Sequence, residues 1–108
     1  MSGERTPDEI IANLLAEQRA DGYERAFKRG VEALCMFATY LAGTRGLTRI
    51  QEMNLRTAVG QLLSDAECAH RSDLSAAPIP YPRAVALKEH ARAEFEATVE
   101  RLGRRKKT

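Results

Sequence analysis

Four residues, Gly43-Thr44-Arg45-Gly46, separate two long stretches in which apolar side chains recur every three or four positions. Before the turn the pattern runs through Tyr23, Phe27, Val31, Leu34, Ala38 and Leu41; after it, through Leu55, Val59, Leu62, Ala66 and Ala69. That spacing is helical. Two long amphipathic helices joined by so short a turn have little choice but to pack side by side and antiparallel. The expected fold is therefore all-α, a small helical bundle built on a long antiparallel helical hairpin.

Local signals place the ends of the elements. Thr6-Pro7-Asp8-Glu9 reads as a capping box with proline at the first helical position, and Thr48 with Gln51 repeats the cap at the start of the helix after the turn. Asp21-Gly22 followed by Glu24 offers a further cap, so the sequence predicts a break there, or a kink with the helix continuing through Gly22. Pro78, Pro80 and Pro82 alternate through 71–82 and force an extended path, and Gly103 is a natural stop for a last helix. The expected organisation is one helical domain over 1–103, with helices at 7–21, 22–43, 48–70 and 83–102. A Pro-rich linker spans 71–82 and a basic disordered tail 104–108.

The hairpin has geometric consequences. With the turn centred between 43 and 48, positions whose numbers add to roughly 91 share a height at the 1.5 Å helical rise. Cys35 and Cys68 then lie too far apart for a disulfide across the hairpin. Glu32 falls within one turn of Arg56 amid apolar neighbours, and the two are candidates for an ion pair, either partly solvated and worth little or buried and fixing register or subunit pairing. The segment Gly30–Gly43 is apolar around nearly its whole circumference, which one neighbouring helix cannot cover. With three Phe, three Tyr and no Trp to build a core, a homo-oligomer is the expected way to cover it.

Composition narrows the setting. Two cysteines are too few for a disulfide scaffold and no stretch has the form of a signal peptide, so a cytoplasmic location is expected. The Gly30–Gly43 run is well short of the roughly 20 apolar residues that span a bilayer, so no membrane partner is expected. The formal charge is only +2, yet Arg104, Arg105, Lys106 and Lys107 concentrate basic charge at the end of the chain.

Nothing in the sequence has the form of an active site. It lacks a P-loop, a dinucleotide fingerprint and a nucleophile elbow; no catalytic residue, metal or cofactor is expected. Glu67 and His70 have the Glu-x-x-His spacing of di-metal bundles, but one copy is not a site, and Cys68 beside them supplies no complete zinc set. Two surfaces could bind. The turn residues Thr44, Arg45, Thr48 and Arg49 combine a helix N-terminus with donors and positive charge suited to a small anionic ligand such as a nucleotide. Ile79, Tyr81 and Arg83 could be displayed from the stiff proline segment to a protein partner, or the segment could simply be tied down over the core.

The expected function is thus a non-catalytic, oligomeric helical interaction protein, an adaptor or inhibitor of the kind found among bacterial and phage regulators. A binder or sequestering protein for a phosphate-bearing ligand such as a nucleotide is the alternative. Nucleic-acid binding through the last helix and the basic tail comes after these, because Glu89, Glu94, Glu96 and Glu100 dilute its field.

Overall fold

The computed structural model describes residues 6–71 and 79–105, and within them three α-helices: α1 at Pro7–Ala42, α2 at Arg49–Arg71 and α3 at Tyr81–Leu102. The protein is all-α. The four expected helices become three because α1 runs unbroken through Gly22. A glycine in a helix interior costs only about 1 kcal/mol relative to alanine, whereas a break would forfeit several backbone hydrogen bonds. Ala20 and Phe27, one on each side of Gly22, are buried together in the same cluster, and only a continuous helix holds both in phase.

The caps lie where local chemistry puts them. The Glu9 amide donates to Thr6 Oγ1 at 3.2 Å, and Pro7 occupies the first turn of α1. At α2 the box is reciprocal: the Gln51 amide donates to Thr48 Oγ1 at 3.1 Å and the Thr48 amide to Gln51 Oε1 at 2.9 Å. Gly43 ends α1 at φ 53°, its amide donating to Thr39 O. The third helix begins two residues earlier than expected. Pro80 holds the extended N-cap conformation, while Tyr81 and Pro82 already lie in the first turn, where the fixed φ of proline suits a helix. The expected linker therefore ends at Pro80, and its residues 72–78 lie outside the described residues.

Two apolar clusters follow one another along the bundle, and every helix contributes to both. One joins Phe27 and Val31 of α1 to Ala66 of α2 and to Ile79, Leu87 and Ala91 of the α3 side. The other joins Ala38 and Ala42 to Leu47, Leu55 and Val59 and to Phe95 and Val99. Between α1 and α2, Gly30 meets Leu62, while Leu34, Phe37 and Leu41 share a groove with Gln51, Asn54 and Ala58. At the turn, Gly46 (φ 90°) is buried against the backbone beyond α3. The Leu47 amide donates to Gly103 O at 3.0 Å and the Arg105 amide to Leu47 O at 2.7 Å. Arg104 and Arg105, expected in a disordered tail, are thus held against the turn.

One part of α1 is left exposed by the other described residues. From Pro7 to Arg19 every residue is exposed, including Ile10, Ile11, Leu14 and Leu15. At about 1.5 Å per residue this stretch reaches some 20 Å beyond Ala20, the first buried residue.

Candidate functional site

The expected anion site at the turn loses several of its backbone donors to the fold. Arg45 and Gly46 amides both donate to Ala42 O, the Leu47 amide to Gly103 O, and the Thr48 amide to Gln51 Oε1. Thr44, Arg45 and Arg49 remain exposed and Thr48 is half-buried as the cap of α2. What an anion could meet is arginine. Arg49, Arg104 and Arg105 border one cleft of about 390 Å³ with Leu47, Glu52 and Met53.

The expected Glu32–Arg56 pair does not form. Glu32 is exposed, and Arg56 turns toward α3, where its guanidinium grips both carboxylate oxygens of Glu96 and also binds Glu52 at 3.2 Å. The physical reason is the third helix. Packing α3 against α1 and α2 places Glu96 beside Arg56 and the Phe95 ring 5.4 Å beneath its guanidinium, a cation–π arrangement. Glu52 is also held by Arg104 at 2.8 Å, and these arginines, Arg104 first, lower its pKa. The cluster is largely solvated, so it orients α2, α3 and the residues beyond α3 more than it stabilises them.

The expected recognition segment is divided by the fold. Ile79 is 2 % exposed and plugs the cluster between α1 and α3 instead of being displayed. Arg83 is tied to Asp21 at 2.8 Å and to Glu24, clamping α3 to α1. Only Tyr81 faces outward, its ring edge-on to His70 at 5.0 Å. An opening of about 370 Å³ lies here, bordered by Ala16, Glu17, His70, Pro80, Tyr81 and Arg83. His70 Nε2 is buried 3.3 Å from the Glu67 carboxylate. Glu67 also binds Lys88, and this contact first, then His70, lowers its pKa to about 2. Among the described residues no group of three or more His, Cys, Asp or Glu gathers in a way that could hold a metal ion.

The most extensive feature is apolar. Seven large apolar side chains of α1 are exposed: Ile10, Ile11, Leu14 and Leu15 toward its start, Met36, Phe37 and Tyr40 toward its end, the last at 80 %. Beside the second group, Leu34, Phe37, Leu41, Leu55 and Ala58 line an open apolar groove of about 310 Å³ between α1 and α2. The sequence pointed to an over-apolar Gly30–Gly43 segment but not to its direction, because periodicity alone does not say which face α3 takes. The described helices include none long and apolar enough to cross a membrane. No protein-family model matches the chain, and neither a curated protein nor a solved structure matches it.

Proposed function

We propose that the protein is a non-catalytic, oligomeric interaction protein, an adaptor or inhibitor built on an antiparallel α1/α2 hairpin with α3 packed along it, whose working surface is the exposed apolar side of α1. The observation that carries this reading is the exposure of seven large apolar side chains on one 36-residue helix. Exposed apolar surface on that scale is characteristic of contact with another macromolecule. Sedimentation of the full chain across a concentration series tests it. A mass that rises above that of one 12.0 kDa chain is the expected result; a chain that stays monomeric throughout removes the oligomeric reading.

A second reading, a binder of phosphate-bearing ligands, is favoured by the approach of Arg104 and Arg105 to Arg49 around one cleft. A nucleotide that raises the melting temperature, with the shift abolished in Arg45→Ala/Arg49→Ala, would support it; no shift with any nucleotide would remove it. Nucleic-acid binding is less favoured, since Arg83, Lys88 and Arg104 are engaged with carboxylates of the same chain.

A further inference from the structure

The end of the bundle that holds the turn and the close of α3 is basic. Residues 43–53 and 100–105 carry Arg45, Arg49, Arg101, Arg104 and Arg105 against Glu52 and Glu100, a net +3. The projecting start of α1, residues 7–19, carries Asp8, Glu9 and Glu17 against Arg19, a net −2. Such a distribution draws anions to the turn end. There Arg49, Arg104 and Arg105 border a cleft of about 390 Å³ around the buried Leu47 and the exposed Met53, a size that suits a small molecule.

The charge of this cleft is unbalanced. Glu52 is the carboxylate that lines it, and it is already held: Arg104 donates to its two oxygens at 2.8 and 3.1 Å, and Arg56 to one of them at 3.2 Å. Arg49 and Arg105 are exposed, and among the described residues neither has a carboxylate partner. By contrast Arg56, Arg83 and Arg104 each reach a carboxylate on another segment. Arg49 is also the first residue of α2, where the helix dipole disfavours a cation. An anion seated between Arg49 and the helix end removes that conflict, and local conflicts of this kind collect at functional sites. The amides of Arg49 and Ile50, which have no carbonyl to bond within the helix, add donors there.

We propose that this cleft binds a nucleotide, its phosphates between the Arg49 and Arg105 guanidinium groups at the start of α2 and its base against Met53. This rests on the phosphate-binding reading above and deepens it, moving the centre of the site from the turn to the junction of α2 with the segment past α3. Guanidinium groups take phosphate oxygens two at a time. A bare phosphate would leave most of the cleft empty, whereas Met53, 59 % exposed beside the arginines, offers a base a polarizable apolar surface. The pairing of Arg104 with Glu52 and the bond from the Arg105 amide to Leu47 O hold this wall of the cleft in place.

The test titrates the full chain with adenosine and guanosine triphosphates, inorganic tripolyphosphate and a single-stranded oligonucleotide, read by calorimetry and melting temperature. At least one nucleotide is expected to bind and to raise the melting temperature. Arg105→Ala keeps the backbone bond to Leu47 and should weaken that binding about tenfold or more, as should Arg49→Ala. Arg25→Ala, the same change of charge on an exposed position of α1, should leave it unchanged. Met53→Ser should weaken the nucleotide several-fold without affecting tripolyphosphate. Nucleotide binding undiminished by Arg105→Ala, or tripolyphosphate bound as tightly as a nucleotide, overturns this site while leaving the phosphate-binding reading standing. An oligonucleotide bound more tightly than any nucleotide overturns it in favour of a strand, and the absence of binding by every phosphate compound overturns both.

Discussion

The Arg105 amide donates to the carbonyl of Leu47 at 2.7 Å, so the backbone just past α3 is joined to the turn between α1 and α2. Gly46 makes that contact possible. A Cβ at this residue would stand 2.9 Å from both the Arg104 carbonyl carbon and Gly103 O, and its φ of 90° is one that L side chains rarely adopt.

Gly46→Ala should therefore lower stability by about 1 to 3 kcal/mol, from strain and from loss of the Leu47 contacts. Urea denaturation followed by circular dichroism measures it. A change of less than a few tenths would mean that the turn and the end of α3 are not held together in solution.

Gly22→Ala should act in the opposite direction. The residue is helical, its added methyl meets nothing within 4 Å, and alanine favours the helix by up to about 1 kcal/mol. A raised melting temperature in dilute solution is the expected outcome. A lowered one would place a bend at Gly22.

Both glycines also show how far the chain could be read from its sequence. The start of α1 at Thr6-Pro7, the reciprocal cap of Thr48 and Gln51, and the stops at Gly43 and Gly103 rest on interactions between residues three or four apart, and each was legible. The continuity of α1 was not, because the local cost of Gly22 is small and is overridden by packing on α3, whose position no local pattern specifies. The same gap misdirected Arg56. Its partner Glu96 lies 40 residues away on a helix that periodicity could describe but not place. Ile79 could be read as displayed among prolines or as tied down over the core, and local pattern could not choose between them; it is buried in the core.

Phe95→Ala should cost about 3 to 5 kcal/mol, the usual loss for removing a buried ring, since Phe95 is 2 % exposed between the helices. The Arg56–Glu96 pair above it is half in water, and a double-mutant cycle with Arg56→Ala and Glu96→Ala should return a coupling of about 0.5 kcal/mol. A coupling several times larger would mean that the pair is shielded from solvent.

Glu67 makes stability depend on pH in a known direction. Its pKa is lowered from 4.5 to about 2 by Lys88 and then His70. The stabilisation is thus fully present above the unfolded value near 4.5 and is lost as the pH falls toward about 2. Wild type should exceed Glu67→Gln in urea midpoint near neutral pH, and the gap should close below pH 4.5. A gap that does not change across that window would show that the carboxylate makes no special contact.

The projecting start of α1 has a consequence that hydrogen exchange can read. Among the described residues, the amides from Ile10 to Arg19 are covered only by their own helix, and an isolated helical end opens at almost no free-energy cost. Around Phe27 and Ala38 the same helix opens only when a core cluster does. Deuterium uptake along α1 should therefore fall from rapid to slow near Ala20 in a lone molecule, and any slowing at Ile10 to Arg19 that grows with protein concentration must come from another molecule resting on it.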